Sequence, residues 1–412
     1  MKIERVRALE ILDSRGTPTV QAQVWLSDGS SASAQAPSGA STGRHEAVEL
    51  RDGDPVRHAG KGVLRAVRNV EEILGPAVIG LDAADQAAVD ARLIETDGSP
   101  NKARLGANAL LALSCAAARA TANARRIPLW RYLAGSRTPT MPIPMVNIIS
   151  GGLHAGRNLE FQDFLVRPRG YPDLASALEA VTAVHRATGK LLAMKGCILT
   201  GVADEGGWGP RLASNEEAIQ VLHEAIAQVG ADMDIVLDVA SSHFYEEGTY
   251  RLEGRELTAE GMADLLAPWL EKYGVRSIED PLAEDDWAGW QLLTARLGNQ
   301  VRLVGDDLFV TNLTRLEKGI AECAANAVLV KMNQIGTLTE TFGVIDRARE
   351  AGFGAVISAR SGETEDSFLA DLAVASGAGE IKVGSITRSE RLAKYNRLLE
   401  IEKWEWPATK EG

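Results

Sequence analysis

Ala327-Val-Leu-Val-Lys331 is an apolar run of strand length closed by a lysine, and its pattern recurs along the second two-thirds of the chain. Short β-rich runs at residues 161–166, 235–239, 276–279, 301–304, 327–330, 354–357 and 380–383 alternate with amphipathic helical stretches. Polar residues mark their ends in succession: Asp238, Glu279, Asp306, Lys331, Arg360 and Lys382. Neighbouring members of this series are separated by about the length of one strand, one helix and two loops. If the strands close on themselves, these side chains converge on one mouth. The reading predicts an α/β protein in which a barrel of about eight strands fills residues 140–412.

Upstream the pattern differs. Thr19-Val-Gln-Ala-Gln-Val-Trp-Leu26 alternates apolar and polar residues, the period of a half-buried strand, and Asp28-Gly29 supplies a hairpin turn. Residues 1 to about 50 read as strands and about 60–135 as helices, with alanine-rich stretches ending near Ile127-Pro128. Thr138-Pro-Thr-Met-Pro-Ile-Pro144 reads as a domain junction. The expectation is a small α+β domain over 1–135 placed ahead of the barrel. Within it, Pro37-Ser-Gly-Ala-Ser-Thr-Gly43 holds no residue able to anchor a core and reads, by itself, as a surface loop.

Bulk composition narrows the function. The chain has 412 residues and a formal net charge of −12, which argues against a general nucleic-acid surface or an anionic membrane face. A local group of cations can still receive a small anionic substrate. Cys115, Cys197 and Cys323 are far apart and odd in number, so a disulfide framework is not expected. The N-terminus carries charges where a signal peptide needs an apolar run, and the longest apolar stretch, around residues 109–118, is too short to span a bilayer. A cytoplasmic protein is expected.

Asp238, Glu279 and Asp306 place three carboxylates on three consecutive strand ends, which suits a hard divalent cation such as Mg2+. Each alone reads more simply as a helix cap. Two lysines at the next corresponding positions make capping a poor account of the set. A lysine beside Mg2+ and a second cation has its ammonium form disfavoured, which makes Lys331 or Lys382 a usable base.

The chain resembles the enolases from end to end. The resemblance rests on Leu12-Asp-Ser-Arg-Gly16, Pro37-Ser-Gly-Ala-Ser-Thr-Gly43, Leu105-Gly-Ala-Asn-Ala109, Gly151-Gly-Leu-His-Ala155 and Asp204-Glu-Gly-Gly207. It continues through Leu237-Asp-Val-Ala-Ser241, Ser277-Ile-Glu-Asp-Pro281, Glu284-Asp-Asp-Trp287 and Gly305-Asp-Asp-Leu308. Asn333-Gln-Ile-Gly-Thr337, Arg360-Ser-Gly-Glu-Thr-Glu-Asp366 and Arg388-Ser-Glu-Arg-Leu-Ala-Lys-Tyr-Asn396 complete it. The resemblance implies two Mg2+ per active site: one held by Asp238, Glu279 and Asp306, the second recruited with substrate and fixed by Ser41. It implies Lys331 as the base that removes the proton beside the substrate carboxylate, in keeping with the lysine or histidine bases of this superfamily. Glu205 resembles the general acid and Lys382 the cation beside the carboxylate. His154 and Gln162 resemble substrate-side residues, and Arg360 and Ser361 the phosphate grip. A homodimer or higher homo-oligomer is also implied.

Departures from the family pattern cluster. Asp163, in Gln162-Asp-Phe164, stands where the family has a glutamate that works with the general acid; a shift of about 1 Å in such a group can cost on the order of 100-fold in rate. Ala359 stands where a histidine is normal. Both face the departing hydroxyl, so the substrate rather than the reaction is expected to differ. His243 replaces a glutamate. Gln21, Gln23 and the run Leu399-Glu-Ile-Glu-Lys403 alter both partners of the ion pair that joins enolase dimers. Three functions follow as expectations. One is dehydration of a 2-phosphoglycerate analogue, foremost 2-(carboxyphosphono)glycerate in phosphonate or phosphinate natural-product biosynthesis. The others are glycolytic conversion of 2-phosphoglycerate to phosphoenolpyruvate, and a non-catalytic binding protein.

Overall fold

The computed structural model describes residues 1–39 and 43–406. Its first unit is an antiparallel sheet of β1 (Ile3–Leu12), β2 (Pro18–Leu26) and β3 (Ser31–Gln35). The alternation in β2 works as its sequence suggests: Val20, Ala22, Val24 and Leu26 are buried, while Gln21, Gln23 and Trp25 face outward. The helix Ala107–Arg125 lies against this sheet, and its small alanine side chains permit close approach. No strand occupies the described residues between 36 and 50, where the strand reading had extended.

The second unit is a closed eight-stranded barrel in the order β10-β11-β12-β13-β14-β4-β5-β6. Its members are β4 (Ile143–Ser150), β5 (Asp163–Pro168), β6 (Met233–Asp238), β10 (Val275–Glu279), β11 (Arg302–Gly305), β12 (Ala327–Val330), β13 (Gly354–Ser358) and β14 (Glu380–Gly384). A small sheet of β7 (Tyr245–Glu246), β8 (Thr249–Leu252) and β9 (Arg255–Leu257) follows β6. The strand β4 begins inside the proline-rich stretch read as a junction, and it is the eighth strand that the seven apolar runs lacked. Prolines at a strand start cost little, because the missing N–H falls at the edge of the ladder.

Strand β5 runs antiparallel to both neighbours, with Asp163 opposite Asp238. The start of β5 therefore shares a rim with the ends of the parallel strands. Met145, Leu165, Val236, Val304, Ala327, Leu329 and Val356 fill the barrel interior as a core separate from the one between strands and helices. Side chains two residues along a strand share a face. Hence Val236 below places Asp238 above, Leu165 places Asp163, Val304 places Asp306 and Leu329 places Lys331. Beneath this core Glu380 pairs with Arg167 at 2.6 Å and with Arg302, closing the opposite end.

The α+β unit docks over the open rim. Ser38 and Gly362 form an isolated antiparallel bridge, with two N–H to O distances of 2.8 Å. Arg119 reaches across to Asp366 at 2.5 Å.

Candidate active site

A cavity of about 350 Å³ opens inside the rim, lined in part by His154, Gln162, Glu205, Asp238, Lys331 and Ala359. Arg360, Ser361 and Lys382 line it too, whereas Asp163, Glu279 and Asp306 lie behind lining residues rather than at the wall. A larger cavity of about 820 Å³ lies at the other end of the barrel, but its arginines, Arg167 and Arg169, are already paired with Asp234. The chemistry therefore gathers in the smaller one. Ser41 lies outside the described residues.

Two lysines carry the positive charge among the carboxylates. Lys382 Nζ donates to Asp238 Oδ2 at 2.8 Å and to Glu279 Oε2 at 2.6 Å. Lys331 Nζ pairs with Asp306 Oδ2, while Gln334 Nε2 donates to Asp306 Oδ1 at 2.9 Å. Gln162 Nε2 donates to Asp238 Oδ2 at 3.2 Å. Burial, and then the neighbouring Asp238 charge, push the Glu279 carboxyl well above its ordinary value. Burial would do the same to Asp306, but the Lys331 ammonium outweighs it and holds Asp306 low. Lys331 itself is raised: burial favours the neutral amine, yet the Asp306 carboxylate prevails. The expected depression of Lys331 is thus absent while Asp306 is its partner.

These residues fit a divalent cation. Asp238, Glu279 and Asp306 are all buried, and a concentration of carboxylates away from water requires compensating positive charge. Among the described residues, the groups whose ligand atoms come within 4.8 Å of one another are Asp280, Asp306 and Asp307, and His154, Asp163 and Glu205; the expected trio Asp238, Glu279 and Asp306 is not so grouped. Asp280 was not singled out in the sequence. Its carboxylate accepts the backbone N–H groups of Asp306 and Asp307 at 2.9 and 2.8 Å, which fixes the turn carrying Asp306. Asp280 adopts φ 41° and Ala240, just beyond Asp238, φ 46°. Left-handed backbone at non-glycine positions is costly and concentrates where a turn must aim a side chain.

On the opposite wall stands an acid–imidazole group. His154 Nδ1 lies 3.2 Å from Asp163 Oδ2 and its Nε2 3.8 Å from Glu205 Oε1. Burial alone would lower the imidazole pKa, but the Asp163 and Glu205 charges raise it to about 9. The two carboxyls are driven apart. Burial outweighs the imidazolium at Asp163 and raises it, whereas the combined charges of His154, Arg391 and the two lysines overcome burial at Glu205 and lower it. Asn147 donates to Asp163 Oδ1 and, at 2.8 Å, to Ser150 Oγ. Asn147 was marked by no motif, because no strand was expected over residues 143–150.

The third wall is the loop after β13. Arg391 is fully buried and donates to the carbonyls of Arg360 and Ser361 at 2.6 Å each. Arg15 Nη1 donates to Ser361 Oγ at 3.3 Å. The Arg360 guanidinium pairs with Glu46 at 3.0 Å and donates to Asn333 Oδ1 at 2.9 Å. Ala359 offers only a methyl group to the cavity. His243 instead lines a neighbouring cavity with Arg157 and Glu160, and its buried Nδ1 has no hydrogen-bond partner among the described residues.

The structure is thus a capped barrel whose mouth sets buried acids against buried lysines. The family model for the enolase N-terminal domain matches residues 3–133, and that for the enolase C-terminal TIM barrel domain matches residues 138–405. The chain belongs to the enolase family, and at that level it is a Mg2+-dependent lyase. Among the described residues, no helix is long and apolar enough to cross a membrane.

Proposed function

We propose that this chain dehydrates 2-(carboxyphosphono)glycerate, a 2-phosphoglycerate analogue enlarged at phosphorus, to carboxyphosphonoenolpyruvate. The observation that carries this reading is Ala359, which lines the same cavity as Arg360 and Ser361 and presents a methyl group where the enolases carry an imidazole. Asp163, one methylene shorter than glutamate, stands behind His154, which lines the same cavity.

In this reading Asp238, Glu279 and Asp306 hold Mg2+, which when bound supplies positive charge against the substrate carboxylate. Were Asp306 to serve as a metal ligand, Lys331 would lose the partner that retains its proton. Its amine then removes the proton from the carbon beside the carboxylate. Electrons from that C–H bond form the new double bond as the C–O bond of the neighbouring hydroxyl breaks. A proton from the Asp163–Glu205 side makes the departing group water. Glu205 is the general acid of this reading, with Asp163 on the other side of His154. Arg360 and Ser361 receive the phosphorus group, and Lys382 the carboxylate.

Purified protein with Mg2+ and each candidate substrate, followed by absorbance of the enol product, tests the proposal. Expected is a higher kcat/KM for 2-(carboxyphosphono)glycerate than for 2-phosphoglycerate. Turnover of 2-phosphoglycerate on the order of 100 per second, a rate within the range of efficient enzymes, would instead establish a glycolytic enolase. A thermal midpoint unmoved by Mg2+ and phosphoenolpyruvate together would indicate a non-catalytic protein, since a ligand that binds only the folded state must stabilise it.

A further inference from the structure

The guanidinium assigned to the phosphorus group already holds an anion from its own chain. Arg360 Nη1 lies 3.0 Å from Glu46 Oε2, and Nη2 lies 3.2 Å from Glu46 Oε1. This is the parallel two-point pairing that arginine makes with planar carboxylates and with phosphates. Both side chains are buried, at 3% and 7% exposure, so water screens the pair weakly. Glu46 is itself held in place: its Oε1 accepts the Gly43 N–H at 3.0 Å and Gln334 Nε2 at 3.4 Å. Its neighbour Arg44 is anchored to Glu284 at 2.9 Å.

We propose that Glu46 is an internal competitor for Arg360 that sets which anions the cavity retains. An incoming anion must displace or share this carboxylate, and the carboxylate, being tethered, returns at high effective concentration. The affinity of every external anion for Arg360 is therefore lowered by a common factor. A small anion with one anchoring point, such as inorganic phosphate, falls below useful affinity. A ligand that also places a carboxylate near Lys382 keeps enough binding energy to stay. Glu46 thereby selects two-point ligands and eases release of whatever Arg360 holds. The proposal rests on the reading of Arg360 as the phosphorus-binding residue.

Calorimetric titration of the full chain with inorganic phosphate, in buffer containing Mg2+, tests it with Glu46→Gln, Glu46→Asp and Arg360→Met variants. Gln keeps length and can still accept from Gly43, while Asp keeps charge but is too short for the two-point pairing. A charge-assisted pair of this kind is worth enough that Glu46→Gln is expected to bind phosphate at least about tenfold more tightly. Glu46→Asp should fall between it and the wild type, and Arg360→Met should not bind. Phosphate binding that Glu46→Gln leaves unchanged or weakens overturns the competition alone, showing Glu46 to be a support for the guanidinium. Absence of binding in wild type and both Glu46 variants, or binding that survives Arg360→Met, overturns the Arg360 reading and the competition with it.

Discussion

The Lys382 ammonium lies 2.6 Å from the Glu279 carboxylate, inside the barrel and shielded from water. A second carboxylate, Asp238, takes the same ammonium at 2.8 Å. Loss of one member of a buried ion pair strands the other, which costs about 3–5 kcal/mol. Lys382→Met should therefore lower unfolding stability by that order in chemical denaturation. Mg2+ should raise the stability of the variant more than that of the wild type, because the cation relieves the stranded carboxylates. An equal Mg2+ increment in both proteins would show that the ion does not bind beside Asp238 and Glu279.

Ala359 and Asp163 make a joint prediction. The double substitution Ala359→His, Asp163→Glu should raise kcat/KM for 2-phosphoglycerate and lower it for the carboxyphosphono substrate. Because about 1 Å in the position of a reacting group is worth on the order of 100-fold, the exchange should be visible in steady-state assays. Neither single change is expected to match the pair, since Ala359 lines the cavity and Asp163 backs His154, another of its lining residues. No gain with 2-phosphoglycerate from the double variant would separate Ala359 from substrate choice.

His154 couples stability to pH. Its folded pKa, about 9, lies above the 6.5 of an ordinary imidazole. A group raised on folding stabilises while it is charged, so the contribution is complete below about pH 6.5 and is lost as pH rises through 9. Its size is on the order of 3 kcal/mol. Wild type should lose stability relative to His154→Gln between pH 6.5 and 9 in urea titrations. Parallel pH profiles for the two proteins would mean that Asp163 and Glu205 do not hold the imidazole charged.

Gly362 tests the seam between the two units. A methyl group there would overlap the Arg15 guanidinium and the Asp13 carboxylate and would stand 2.6 Å from the Ser38 carbonyl oxygen. Backbone cannot yield as a flexible side chain does, and overpacking costs about 1–3 kcal/mol. Gly362→Ala should therefore lower the thermal midpoint and reduce anion affinity at Ser361, one residue away. Unchanged stability would show that the α+β unit shifts freely on the barrel.

Much of the barrel was legible because a buried strand needs apolar side chains and one strand-plus-helix unit has a nearly fixed length. Those constraints put Asp238, Glu279, Asp306, Lys331, Arg360 and Lys382 at the same rim without any knowledge of contacts. The strand β4 was not legible, because local signals cannot distinguish prolines at a strand edge from prolines in a linker. Asn147 went unseen for the same reason. The direction of β5 was equally hidden, although it alone explains why Asp163, at a strand start, reaches carboxylates at strand ends.

The chain carries its chemical inventory locally: three acids and two lysines in barrel order, and an arginine loop. Such facts follow from residue identity and spacing, which the chain carries locally. Only the tertiary structure decided how charge is shared among them. Lys331 is held protonated by Asp306, Asp163 is raised while Glu205 is lowered, and Arg360 is occupied by Glu46 from 314 residues away. Electrostatic energy depends on distance and burial in three dimensions, and neither is a property of sequence separation.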